Sequence, residues 1–357
     1  MKLSKIFGWA MASALLLNVS CRNGEEVVTL PKGDYENGIL MANEGNFGRP
    51  NADLSFVTSD LTEVDQNIYS SVNGEALGDV LQSVGFYGDK AYLVVNNSNK
   101  IVVANRYTMK KEAEISNVTQ PRYVAFSNSK MYVTSNNFWD LRQVNVYDGS
   151  SNRLKTINFD RYAEKIVSQS GYVYVQTDGV KYELVGNDYK AVPTGHTIGR
   201  INASTDEVMS PVTLPDEGVI RDLASAEGVV YALSSDDSGS YVYKINASTG
   251  GIIQTTFTSA AKLERLAVDN QNVYCLGTDK ESGNNVVYSV VSGGINKMFS
   301  LSSDQQGYVY AFNVIDGRVY TSNATFTQDS KVSVYSAVGT LLKEFTAGMG
   351  TNAFYKN

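Results

Sequence analysis

Histidine occurs once in this 357-residue chain, as His196, and cysteine twice, as Cys21 and Cys275. One imidazole argues against a multi-histidine metal centre and against a Ser-His-Asp triad, since a lone histidine is ordinarily structural. Two cysteines give neither a disulfide framework nor a paired-cysteine zinc site. A glycine-rich phosphate loop is missing as well. Basic residues (30) are outnumbered by acidic ones (37) and form no stripe, so a net charge of −7 argues against a nucleic-acid surface. The apolar run Ile6 to Leu17 is too short to span a bilayer as a mature helix.

Tyrosine and glycine are plentiful, with 23 and 30 residues, which suits many short strands joined by tight turns. Six times a small turn residue precedes a short β run centred on tyrosine: Tyr92, Tyr132, Tyr174, Tyr231, Tyr274 and Tyr320. The intervals are 40, 42, 57, 43 and 46 residues. A period near 40 to 45 that tolerates insertions marks four-stranded propeller blades around an axis. The expected fold is all-β, a seven-bladed β-propeller of four-stranded antiparallel blades with very little helix.

Blade two shows the plan, with strands expected over 81–86, 91–96, 101–105 and 112–115. In blades four and five the outer strands share near-identical turns, Ile201 to Asp206 and Ile245 to Gly250, 44 residues apart. Blade one opens on Gly38 to Asn43, where Asn43 aligns with Asn96 and Asn136 of second strands, so its innermost strand is missing. The tail Asn352-Ala353-Phe354-Tyr355 resembles the innermost strand Tyr123-Val124-Ala125-Phe126. The C-terminus is therefore expected to close the ring.

At the other end, Lys2 and Lys5 precede the apolar run, and Ser20 stands before Cys21. Residues 1–20 read as a bacterial lipoprotein signal and Cys21 as the lipidated first residue, although Asn18 occupies the usual lipobox leucine position. Residues 21–35 read as a solvated tether and 36–357 as the propeller, attached to the membrane through the lipid alone. Cys275, within a strand, reads as a small core residue.

Strand parity sorts the loops. Those between second and third strands, and those between blades, return to one face. There the loops are long: 44–51, 96–99, 136–142, 177–196, 235–240, 279–285 and 323–330. The stretch Asn136-Asn137-Phe138-Trp139 sets two aromatic rings among polar groups, either to contact a ligand or to cover the blade core. Asn43, Glu44, Asn46 and Phe47 combine amide, carboxylate and ring beside two glycines, either as ligand groups or as a self-satisfied loop. Asn97 joins them from the 96–99 loop. Arg122, Tyr162 and Arg221 lie at or near the starts of innermost strands, close to the axis, as ligand donors or as members of an interblade ion-pair ring. The 177–196 insertion, with Tyr182 and Tyr189, suggests a lid or a partner contact. Oxygen ligands near the axis leave room for calcium, which no regular acidic loop demands.

The segment Gly38 to Gly48, followed by Ala52-Asp53-Leu54-Ser55, resembles the opening of the YncE-like propeller lipoproteins of Bacteroidota, the family of the cobalamin-capturing BtuG, and the similarity extends in outline over all seven blades. Glu25 and Glu26 loosely resemble the acidic stretches that send lipoproteins to the cell surface. The resemblance implies an outer-membrane surface lipoprotein, not an enzyme, that captures a bulky ligand such as cobalamin for a TonB-dependent outer-membrane transporter. A calcium-dependent lactonase-like hydrolase and an adhesion or protein-interaction propeller are the alternatives.

Overall fold

The apolar runs that carry the repeating tyrosines fold as second strands, sandwiched where both of their faces are buried. The computed structural model describes residues 31–137, 139–302 and 308–357. The expected signal segment, Cys21 and Phe138 lie outside the described residues. One unit runs from Gly33 to Asn357. The end of the expected tether belongs to it, because the Tyr35 N–H donates to the Tyr107 carbonyl at 2.9 Å and its ring meets Phe56 edge-on.

Strands β1 (Gly38–Asn43), β2 (Asp53–Thr58) and β3 (Val64–Asp65) begin the first blade, and helix α1 (Ile68–Asn73) fills out its short outer strand. The second blade is β4 (Leu81–Tyr87), β5 (Lys90–Val95), β6 (Lys100–Asn105) and β7 (Lys111–Ser116). The third is β8 (Pro121–Ser127), β9 (Lys130–Asn136), β10 (Arg142–Tyr147) and β11 (Arg153–Asn158). The fourth uses β12 (Ile166–Gln169), β13 (Tyr172–Gln176), β16 (Thr197–Asn202) and β17 (Glu207–Thr213), with a separate hairpin, β14 (Val180–Val185) and β15 (Asp188–Pro193), inserted at its middle. The fifth is β18 (Val219–Ala226), β19 (Val229–Ser235), β20 (Ser240–Asn246) and β21 (Ile252–Thr258). The sixth is β22 (Ala261–Asp269), β23 (Asn272–Asp279), β24 (Asn285–Val291) and β25 (Gly294–Ser300). The seventh is β26 (Val309–Ile315), β27 (Arg318–Asn323), β28 (Lys331–Tyr335) and β29 (Leu341–Thr346).

The last strand, β30 (Thr351–Lys356), pairs antiparallel with β1, Leu40 opposite Tyr355 and Met41 opposite Phe354. It supplies the innermost strand that the first blade lacks. The innermost strands β30, β4, β8, β12, β18, β22 and β26 each neighbour the next, and β26 returns to β30, so the ring is closed.

The hydrophobic cores lie between blades. Leu40, Leu54 and Phe56 pack on Leu81, Leu93 and Val102, and Tyr132, Val144 and Ile157 pack on Val173, Val175 and Ile201. Burial on both faces explains why second and third strands read as continuous apolar runs, whereas outer strands such as β11 bury little more than Ile157. Truncating a fully buried residue such as Leu93 to alanine costs about 2–5 kcal/mol. Cys275 is a buried free thiol of this core.

The innermost strands of blades three to seven turn into second strands through residue pairs that both have positive φ, for example Asn128-Ser129 and Glu227-Gly228. These are the turns whose twist matches the strands they join. On the same face, the Tyr132 hydroxyl donates to the Ala203 carbonyl and Asp206 carboxylate of the next blade's outer turn, and the Tyr174 hydroxyl donates to the Ala247 carbonyl one blade on. Tyrosine and Ile-Asn-Ala turn therefore form one joint between successive blades.

Candidate functional site

At the other end of the innermost strands the ladder slips. Register shifts fall between Leu81 and Ser83, Pro121 and Val124, Ile220 and Asp222, Leu263 and Arg265, and Val309 and Ala311, and a matching shift occurs where β30 meets Ala42 and Asn43. Each bulge leaves a residue out of the pairing: Gln82, Arg122 with Tyr123, Arg221, Glu264, Tyr310 and Asn352. A bulge bends its strand and re-aims a side chain. Here it does so at the mouth of the ring, where Gln82, Arg122 and Tyr310 line a cavity of about 590 Å³. Glu44, Asn46, Phe47, Asn96, Asn136, Asn137 and Phe326 complete much of its wall.

Arg122 is the most heavily bonded group of the floor. Its Nη2 donates to Glu164 Oε1 at 2.6 Å, its Nε sits 3.0 Å from both Glu164 oxygens, and its Nη1 donates to Gln82 Oε1 at 2.5 Å. Burial opposes its charge, but the Glu164 carboxylate outweighs burial and holds the guanidinium above its ordinary pKa. Asn136 Nδ2 donates to the same Glu164 at 3.2 Å. Across the floor, Glu44 accepts from Asn352 Nδ2 at 2.8 Å and from the Tyr310 hydroxyl at 2.7 Å. Burial raises the Glu44 pKa, partly opposed by those two donors and by Arg122.

The sequence candidates divide. Glu44, Asn46, Phe47, Arg122, Asn136 and Asn137 are brought together around the cavity. Asn43 lies below it, buried, with its amide donating to Ser55 Oγ and its carbonyl accepting from Thr351. Asn97 donates to Asp79, whose carboxylate also takes the Gly48 N–H, so its amide holds two loops together. Asn46 ties its own loop to blade seven through the Phe326 carbonyl at 2.7 Å. Asn137 Oδ1 accepts the N–H groups of Trp139, Asp140 and Leu141 at 2.9, 3.1 and 2.9 Å. That turn projects the Trp139 ring outward at 80% exposure, so the indole does not cover the blade core. Phe47 is equally exposed.

On the far side of the mouth, Lys165 pairs with Asp222 at 3.0 Å, and Asp222 also accepts the Leu266 N–H of the next blade. Together with Arg122 and Glu164 this makes an interblade ion-pair arrangement. Tyr162 supports the inserted hairpin: its hydroxyl donates to the Val180 carbonyl and its ring lies against Gly179. The 177–196 insertion contains a two-stranded ribbon, β14–β15, on a braced root. Among the described residues no group of three or more His, Cys, Asp and Glu side chains is placed to hold a metal ion.

Gln82, Gln120, Tyr310, Phe326 and Asn352 escaped the sequence reading. A signal existed for the bulged ones: each follows an apolar or small residue that opens an innermost strand, as in Leu81-Gln82-Ser83 and Val309-Tyr310-Ala311.

The model of a domain of unknown function, DUF5074, matches residues 37–176. That span contains all of the cavity lining except Tyr310 and Phe326 and stops short of the hairpin. No curated protein matches the chain. Among solved structures it is similar to hydrazine synthase of Kuenenia stuttgartiensis, at 13% identity over 74% of this chain and 86% of that one, with a TM-score of 0.58. It is also similar to dihydro-heme d1 dehydrogenase NirN in complex with DHE, at 10% identity over 92% and 77%, with a TM-score of 0.58. BamB from Moraxella catarrhalis is similar at 14% identity over 94% and 88%, with a TM-score of 0.52. Identities this low speak to fold alone. The fold is that of a β-propeller.

Proposed function

We propose that this protein captures a bulky polar ligand in the mouth of its ring, with cobalamin or a related corrinoid as the first ligand to test. The observation that carries the reading is the wall of the 590 Å³ cavity, which combines amides, one guanidinium and an exposed phenylalanine on rigid bulges and braced loops. An amide-rich macrocycle offers matching acceptors and donors around an apolar body. Glu44, the one carboxyl with a raised pKa among the described residues, already has Asn352 and Tyr310 on its oxygens, which suits recognition better than the paired carboxylates of a hydrolase. On the same reading Cys21 carries a lipid, the protein sits at the outer-membrane surface, and a TonB-dependent transporter receives the ligand.

Equilibrium dialysis of cyanocobalamin against the purified protein, with calcium and with chelator, tests the capture. Binding that weakens about 10-fold or more in Phe47→Ala is expected. Absence of binding by the wild type removes the corrinoid. For the anchor, a Cys21→Ser protein is expected to leave the membrane fraction, and retention there would count against lipidation.

A further inference from the structure

The geometry points to a second subsite at the mouth, on the side away from the cavity, that takes an anionic group attached to a flat apolar body. It deepens the capture reading above and rests on two separate features, Arg221 and the β14–β15 hairpin.

Arg221 is one of the bulged residues, turned out of the β18 ladder between Ile220 and Asp222. Arg122 holds a carboxylate and Arg265 donates to the Tyr310 carbonyl at 3.3 Å. Arg221 makes no hydrogen bond or ion pair with any described residue, and its Nε is buried without a partner. Burial lowers its pKa, with Glu264 opposing and Arg265 adding to the effect. A desolvated guanidinium without a partner is costly unless an anion meets it.

The hairpin supplies the apolar half. Its register sets Val180 opposite Pro193, Tyr182 opposite Ala191, and Leu184 opposite Tyr189. Alternation puts Val180, Tyr182, Leu184, Tyr189 and Pro193 on one face and Lys181, Glu183 and Lys190 on the other. Tyr182, Leu184 and Tyr189 are 68%, 61% and 71% exposed, so the fold itself gains nothing from that face. The ribbon is not left to swing, because Arg161 clamps its root to Asp178 at 2.8 Å and to the Thr194 carbonyl at 2.6 Å. Gln176, which leads into the ribbon, donates its side-chain N–H to the Ile220 carbonyl at 2.9 Å, so the hairpin is rooted beside the bulge that carries Arg221. An uncharged face beside one unpaired cation fits an amphiphilic anion, such as a ring or macrocycle bearing a phosphate, sulfonate or carboxylate.

The test uses the full-length protein and two probes, 1-anilinonaphthalene-8-sulfonate and cyanocobalamin, which carries a phosphodiester. The dye is expected to bind with blue-shifted emission. Both Arg221→Gln and the triple variant Tyr182→Ser, Leu184→Ser, Tyr189→Ser are expected to weaken it about 10-fold or more, and Phe47→Ala, on the cavity side, less than about 2-fold. Arg221→Lys should recover part of the affinity, which separates charge from folding. A wild type that leaves the dye dark, or an Arg221→Gln or triple variant that binds it like the wild type, overturns the subsite. Cyanocobalamin that binds the wild type and both variants equally leaves capture standing and removes this subsite from it. Dye binding that depends on Arg221 and the hairpin, in a protein that ignores cyanocobalamin, keeps the subsite and removes the corrinoid.

Discussion

The two faces of the ring use the same chemistry to opposite ends. On the turn face, Asn246 Oδ1 collects the N–H groups of Ser248 and Thr249, and the carbonyl this turn presents, Ala247, is taken by Tyr174 of the preceding blade. On the mouth face, Asn137 Oδ1 collects three N–H groups in the same way, yet the side chain that this turn presents, Trp139, meets solvent. An asparagine-capped turn is thus a joint where a neighbour covers it and a display where none does. The innermost strands repeat the contrast: tight paired turns at one end, a bulge that throws a polar side chain toward the axis at the other.

The largest effect should come from removing the joint that closes the ring. Deleting residues 350–357 takes away every β1–β30 pair together with buried Phe354. Truncating one buried phenylalanine costs about 3–5 kcal/mol, and losing its whole strand also exposes two apolar interblade faces and an open edge. Scanning calorimetry is expected to show the melting temperature of the entire domain fall, with aggregation. An unchanged midpoint would mean that the tail is an appendage.

A smaller loss is expected from the tyrosine joints. Tyr132→Phe removes a donor to the Asp206 carboxylate at 2.6 Å, an interaction of about 1.5–3 kcal/mol when the acceptor is charged. Tyr174→Phe removes a donor to a neutral carbonyl at 2.8 Å, about 1 kcal/mol. Urea unfolding should rank the first as the more damaging, and the reverse order would show that the carboxylate contributes nothing to the joint.

Between joint and display stands Glu44, whose carboxyl is buried at the mouth. Burial raises its folded-state pKa above the unfolded value, so the folded chain binds more protons across that window. Its contribution to stability is therefore present at low pH and lost as pH rises from the ordinary glutamate range through the raised value. Glu44→Gln abolishes this titration while keeping an acceptor for Asn352 or Tyr310. The difference between variant and wild-type denaturation midpoints should move in favour of glutamine as the pH rises from about 4 to about 7. A difference that does not change with pH would show that Glu44 titrates alike folded and unfolded.

Much of this was legible before any coordinates. Strand positions, the closing tail and the sorting of loops follow from alternation, tyrosine spacing and parity, because those signals come from the burial of whole strands. The bulges were not, since a slip of one residue is settled by the partner strand, and a polar residue near a strand end looks the same with or without it. Asn43 and Asn97, which tie side chains together, and Asn137, which caps a turn, were legible only as polar residues: an amide satisfied within the fold and one that awaits a ligand are the same letters. In the insertion, Lys181 to Val185 and Tyr189 to Val192 flank Gly186-Asn187, a hairpin signal that the reading of the insertion as a lid or partner contact did not use.

The smallest effect on stability is expected where the display is most exposed. Trp139 is 80% exposed and its ring fills no core, so Trp139→Ala should change unfolding by no more than about 0.5 kcal/mol. If the mouth captures cyanocobalamin, the same change should weaken binding about 30-fold, the effect of losing an aromatic anchor of about 2 kcal/mol. Asn137→Ala offers the complementary cut, because it keeps the indole but removes the acceptor for three N–H groups. It should cost about 1–2 kcal/mol of stability, as lost caps do, and also lower affinity by freeing the ring to wander. Trp139 is the only tryptophan after residue 20, so in Asn137→Ala, assayed without residues 1–20, its emission reports both stability and binding. An unchanged affinity in Trp139→Ala, with the wild type binding, would move the contact off this loop. A large loss of stability would mean that the ring is a joint after all.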